Sequence, residues 1–224
     1  MIIRYNDIKI ENTDSSNALK ADLDINIYKK AIFFDLEHYV YKKPVCIGVF
    51  GCCYFEEKNS TIKVTQYMIE NGTDALEILK LAEKYFKEMA IKNEKKYIVT
   101  FSGNNDFTVI NYLIKKYDID LNFDDYYVGI DLQKEYEKIT KKCIGLKALE
   151  KEFGIEREGE LISGSNLAKT FNKIVKDKEY FKRMPEEKKE KILLYNEQDV
   201  VNLFHIFLNW NKVLKENIDL VEKL

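Results

Sequence analysis

Apolar side chains occupy odd and even positions alike between Ala31 and Leu36, the pattern of a strand covered on both faces within a parallel or mixed sheet. After a turn at Lys42-Lys43-Pro44, residues 45–55 form a second apolar run in which Gly48 and Gly51 are possible bulge sites. A hairpin loop over 56–60 leads to 61–68, whose alternation predicts a half-exposed strand, so three antiparallel strands open the sheet. Past Asn71-Gly72 the period lengthens to 3.6. Ala75, Ile78, Leu79, Ala82, Phe86 and Met89 make one apolar stripe of a helix, with Thr73 or Asp74 as N-cap and Glu77 placed for a capping box on Asp74. A short strand at 96–101, a turn at 102–105, a helix over 106–117 and a strand at 126–130 ending at Asp131 complete an alternation that implies parallel pairing.

The remaining third predicts helices: 145–153, stopped by Gly154; one after Ser163-Gly164-Ser165; and the longest from Pro185, which carries acids in its first turn. The whole is an α/β fold with a mixed five-stranded sheet, three antiparallel strands and then two parallel, flanked by helices. Residues 1–30, with a polar, turn-rich run at 11–17, read as an N-terminal extension packed on the sheet edge. No repeat or linker divides the rest, so one domain over 1–224 is expected.

Composition adds constraints rather than a function. The 224 residues are 46% hydrophobic and 33% charged, enough to bury a full core. A net charge of −2 means that any polyanion would have to meet a local basic patch. Cys46, Cys52, Cys53 and Cys143 form no C-x-x-C pair and read as buried, reduced thiols. With no leader-like segment and no apolar run near 18 residues, no membrane association and a cytoplasmic location are expected.

Three segments carry acids where apolar residues would be ordinary. Strand periodicity puts Asp35 and Glu37 on one face, where two anions about 5 to 6 Å apart repel by roughly 3 kcal/mol at an effective dielectric near 20 unless a cation lies between them. On the last helix, Asp199 sits at the centre of a stripe formed with Ile192, Tyr195, Leu203, Ile206 and Trp210, so it needs a partner, either a metal or a basic side chain. Asp106 follows the end of a strand expected to lie parallel to the first, at the sheet edge where α/β ligands gather, although an acid in a first helical turn also simply complements the helix dipole. His38 beside Glu37 is either a base, a ligand or a structural histidine. Lys138, Lys141, Lys142, Lys147 and the 173–191 region hold lysines that either meet phosphates or form a solvated face.

Phe34-Asp35-Leu36-Glu37, Asp106 within Ser102-Gly103-Asn104-Asn105-Asp106-Phe107, and Tyr195-Asn196-Glu197-Gln198-Asp199 together resemble the ribonuclease H-like 3′-to-5′ exonucleases with four acidic residues and a tyrosine. The Gly-Leu-Lys-Ala-Leu-Glu helix and the Tyr-Asn-x-x-Asp-Val wording look like the YprB-type subgroup. The resemblance implies a ribonuclease H-like fold, two Mg²⁺ or Mn²⁺ ions, and phosphodiester hydrolysis at the 3′ end of single-stranded DNA or RNA. It implies Asp35, Glu37, Asp106 and Asp199 as metal ligands and Tyr195 as an orienting group for the attacking water. The family's second motif commonly reads Phe-Asp, whereas here Asn105 precedes Asp106 and Phe107 follows it, which leaves Asp131 as a rival for that place. The alternative function is a catalytically inactive nucleic-acid or protein-binding module on the same fold.

Overall fold

The computed structural model describes residues 1–10, 14–20, 26–159 and 162–221, with the backbone alone over 215–221. Six strands, β1 (Ile2–Lys9), β2 (Ala31–Tyr41), β3 (Lys43–Glu56), β4 (Thr61–Met68), β5 (Tyr97–Thr100) and β6 (Val128–Asp131), form one mixed sheet in the order β1-β4-β3-β2-β5-β6. β2, β3 and β4 pair antiparallel as a meander, and β5 and β6 continue from β2 in parallel. The sheet has one strand more than the apolar pattern predicts. β1 pairs antiparallel with the edge of β4, and its mostly exposed side chains hide it from a search for buried runs. Of the polar run at 11–17, residues 11–13 lie outside the described residues, and Ser15–Asn17 is a 3-10 turn capped by Asp14.

Seven helices among the described residues cover the sheet: α1 (Asp74–Ile91), α2 (Asn104–Lys116), α3 (Leu132–Thr140), α4 (Leu146–Glu152), α5 (Gly164–Lys176), α6 (Tyr180–Arg183) and α7 (Glu186–Val221). Ile32, Phe34 and Leu36 of β2 pack with Ile78, Phe86 and Ile110 of α1 and α2, while Ala31 and Phe33 pack with Val200, Phe204 and Phe207 of α7. The sheet therefore has a core on each side, which explains the unbroken apolar run of β2. It also corrects the expectation for β4. That strand is buried almost throughout, because α1 takes one face and α7 the other, and its polar Gln66 is fully buried with its amide donating to Leu193 O and Asn196 Oδ1 at 2.8 and 2.9 Å.

Two local expectations fail. Thr73 caps nothing with its side chain and Glu77 forms no capping box; the Asp74 carboxylate instead accepts from the Glu70 N–H at 2.8 Å and pairs with the N-terminal amine at 3.3 Å, while Glu77 meets Lys80. Cys46, Cys52 and Cys53 are buried free thiols, but Cys143, just past α3, is exposed. Ser163 caps α5 through its side chain, and Gly154 has the positive φ of 66° that lets the chain turn after α4.

The register of β2 and β3 steps from Glu37↔Val49 to His38↔Ile47, leaving Gly48 as the extra residue of a bulge. α5 packs across this end of the hairpin, and a Cβ built on Gly48 would stand 2.4 Å from the fully buried Phe171 ring. Gly48→Ala is expected to destabilise the chain by about 1 to 3 kcal/mol through overpacking. The measurement is a urea unfolding curve, whose midpoint should fall without a change of slope.

Candidate active site

The parallel strands β5 and β6 end level with one another at Thr100 and Asp131, while β2 runs on beyond its pairing with β5 and carries Asp35 and Glu37 past the sheet's carboxyl edge. Both acids lie on the face covered by α7, and there α7 presents Asp199. One carboxylate oxygen from each of Asp35, Glu37 and Asp199 lies within 4.8 Å of the others. Oxygen ligands bonded to one ion at about 2.1 to 2.4 Å stand up to about 4.8 Å apart across it, and carboxylates are the hard donors that Mg²⁺ and Mn²⁺ take. The donor set therefore fits a divalent cation.

Asp106 is buried in the first turn of α2. It lies outside that group of three, yet its charge is felt by Asp35 and Glu37, and it feels Asp199 in turn. His38, aimed beside it by the bulge, holds Nε2 3.9 Å from Asp106 Oδ1. Asp131 takes a different part. Its carboxylate accepts from the backbone N–H groups of Ser102, Gly103 and Gln133 at 2.9, 3.2 and 3.1 Å, tying the turn after β5 to the start of α3. With those donors satisfied, Asp131 is a cap and brace, and Asp106 is the acid turned toward the cluster.

Two neutral or basic side chains fix the carboxylates. Asn196, fully buried on α7, donates to Asp35 Oδ2 at 3.2 Å and accepts from Gln66. It reaches Asp35 across Gly51, the register partner of Asp35 on β3, where a Cβ would fall 2.1 Å from Asn196 Oδ1. Arg157 forks onto Glu150 at 2.5 and 2.7 Å and also donates to Asp199 Oδ1. Asn202 completes this buried set by donating to Glu150 at 2.9 Å. Of the two partners foreseen for Asp199, the basic side chain is present on one oxygen, beside neighbouring acids that could hold a cation. The Tyr195 ring, one turn before Asp199, lies between Lys147 Nζ at 5.0 Å and Arg157 Cζ at 5.1 Å.

Sequence patterning reached the acids and Tyr195, and missed Asn196, Gln66, Arg157 and Glu150. Asn196 had one signal, its place inside the Tyr-Asn-x-x-Asp wording. Arg157 lies between helices, where no periodicity marks a residue as buried.

The electrostatics match the crowding. Burial first, then the charge of Asp106, pushes Asp35 up to about 8, against the opposing pull of Asn196 and Arg157. Asp106 is likewise pushed up to about 8 by burial and by the charges of Asp199 and Asp131. Glu37 and Asp199 are raised well above the ordinary carboxylate range, by burial and then by Asp35 in each case, with Lys147 relieving the first and Arg157 the second. Burial also raises the Tyr195 hydroxyl, with the charges of Asp199 and Glu37 adding to it. His38 is lowered by burial and is neutral at physiological pH.

The family model described as the RNase_H superfamily matches residues 32–211, the span that holds every residue of this site. The chain belongs to the ribonuclease H superfamily. Members of that superfamily are typically nucleases and usually use divalent metals. No curated protein matches the chain. Among the described residues no helix is long and apolar enough to cross a membrane.

Two outcomes follow from the charges. Without metal, the folded chain holds protons on Asp35 and Asp106 up to about pH 8, whereas an unfolded carboxylate loses its proton near the ordinary value of 3.8, so stability should fall as pH rises between these limits and level off above them. Thermal unfolding in a chelator at pH 5 and pH 8 reads this slope, and added Mn²⁺ should restore more stability at pH 8 than at pH 5. Arg157→Ala removes the cation from two buried carboxylates and should cost about 3 to 5 kcal/mol by urea unfolding.

Proposed function

We propose that this chain is a metal-dependent 3′-to-5′ exonuclease that hydrolyses single-stranded nucleic acid from its end, DNA or RNA, in the manner of the four-acid-plus-tyrosine group and its YprB-type branch, with residues 1–224 acting as one unit. The observation that carries the proposal is the gathering of Asp35, Glu37 and Asp199 oxygens within 4.8 Å, with Tyr195 one turn along the same helix.

Divalent cations, when bound, would neutralise the scissile phosphate and lower the pKa of the attacking water. Asp35, Glu37 and Asp199 are the residues that would hold them, and Asp106, whose charge reaches Asp35 and Glu37, would be the fourth ligand. Asn196 keeps Asp35 in one rotamer, and Arg157 keeps Asp199 in another, so the donors are aimed before any ligand arrives. Glu37 and the Tyr195 hydroxyl, both close to Asp199, orient the water from the open side of the cluster. The raised hydroxyl pKa keeps Tyr195 a hydrogen-bond donor rather than a phenolate across the working pH range. The Lys147 ammonium above the ring adds positive charge where a phosphate would approach.

One observation favours a second reading, a binding module without catalysis: Arg157 already gives Asp199 a counter-charge. Release of mononucleotides from matched 5′-labelled DNA and RNA oligomers, with free and phosphate-blocked 3′ ends, separates the two. The exonuclease reading expects a ladder shortening from the 3′ end with Mn²⁺ or Mg²⁺, none with a chelator, and none from Asp35→Asn or Asp199→Asn. Asn196→Ala should weaken metal affinity or activity about 10- to 100-fold. Retention of intact oligomers under all these conditions would favour the module.

A further inference from the structure

Outside the acidic cluster, a groove of about 340 Å³ lies between α5 and α7, with Tyr180 in its lining. Lys169 and Lys173 stand one turn apart on α5, and Lys188 and Lys191 stand one turn apart on α7, so four ammonium groups face one channel. Among the described residues, no carboxylate lines it. Lysines elsewhere in the chain are commonly paired, as Lys182 and Lys189 are with Glu179 and Glu186 at 3.0 and 2.8 Å, and within the groove Lys191 meets Glu187 at 2.9 Å. Lys169, Lys173 and Lys188, all exposed, have no such acid partner among the described residues. Lys173 instead stands 5.5 Å over the face of Tyr180, and Lys188 lies 3.4 Å from its hydroxyl.

The groove leads to the active site. Lys191 also lines a second, smaller cleft with Arg157, Glu158, Leu194, Tyr195 and Gln198, so one lysine belongs to both, and Glu158 is the one acid in that cleft's lining. From the other side, Lys147 reaches Ile162 O at 3.4 Å while holding its ammonium over the Tyr195 ring, and Ile162 is a wall of the groove. A basic path therefore runs from Tyr195 through Lys191 and Lys147 to Lys188, Lys173 and Lys169. Like charges are gathered along it despite a net charge of −2 for the chain.

We propose that this path seats the phosphodiester backbone of the single strand upstream of the nucleotide being removed, so that the polynucleotide enters the site along α7. The inference rests on the exonuclease reading for its direction and adds where the strand lies. The occupant is a polynucleotide because the charges form a line that ends at a cluster suited to a phosphodiester, and because the exposed ammonium groups of Lys169, Lys173 and Lys188, with no acid partner among the described residues, release counterions when a polyanion meets them. Tyr180, with one ammonium over its ring and another at its hydroxyl, offers an aromatic edge within the same channel.

The test uses the full chain in a chelator, so that binding is read without cleavage. Fluorescence anisotropy with fluorescein-labelled 20-mers of dT and U gives the affinity and its salt dependence, for the natural chain and for Lys169→Glu/Lys173→Glu/Lys188→Glu. Three lost phosphate contacts should weaken binding at least about tenfold and reduce the slope of log affinity against log salt by about 2. Hydrolysis of a dinucleotide too short to reach the groove should be unchanged in the variant, which reports an intact fold and site. Equal affinity and slope in the two chains would overturn the groove assignment, and so would an equal loss for the dinucleotide and the 20-mer. If the natural chain cleaves nothing with any metal while the variant still loses oligomer binding, the groove stands and the exonuclease reading falls.

Discussion

Mutual repulsion among buried and half-buried carboxylates is the constraint around which this molecule is arranged. Asp35, Glu37, Asp106 and Asp199 are brought together by one strand and two helices in a setting that penalises each charge, and burial is the first cause of every upward shift among them. A chain gains nothing in stability from such an arrangement. What makes it tolerable without a ligand is a scaffold of compensations: the Arg157 fork between Glu150 and Asp199, the Asn196 amide on Asp35, and protons retained up to about pH 8. Strain concentrated in one place and relieved by groups devoted to that place is the pattern expected of a binding centre.

The surrounding fold supplies the precision. Gly51 on β3 lacks the atom that would push Asn196 away, Gln66 on β4 holds the other end of the Asn196 amide, and the carbonyl of Leu193 holds Gln66. Asp35 is therefore positioned by three neighbouring strands and one helix at once. The Gly48 bulge adds a bend just past Glu37, which turns His38 toward Asp106 and makes room for the Phe171 ring of α5. Asp131, satisfied by three backbone donors, keeps the turn before α2 in place and so sets the depth of Asp106.

Much of this was legible in the chain itself, for identifiable reasons. β2 announced its double burial by apolar residues at consecutive positions, and the period-two rule placed Asp35 and Glu37 together. On α7, the 3.6 period placed Asp199 amid buried neighbours. What stayed hidden was whatever depends on partners far along the chain. β1 is too exposed to be recognised by burial, and β4 looked half-exposed because its second cover, α7, comes more than a hundred residues later. Arg157 sits in a connection without periodicity. Asp106 and Asp131 could not be ranked from spacing alone, since the difference between them lies in three backbone N–H groups that meet Asp131 and in the coupling of Asp106 to the other acids.

Helix α7 carries Tyr195, Asn196 and Asp199 on its buried side and Lys188 and Lys191 nearer its start, all on one rigid rod. The acidic cluster and the lysine groove are thereby locked in phase: each turn advances about 5.4 Å, and a single inserted residue would swing everything beyond it by about 100°. The helix acts as a ruler. On the proposed reading, the interval between the terminal linkage and the next anchored phosphates would be set by helical pitch, a quantity that loop rearrangement elsewhere in the protein leaves untouched.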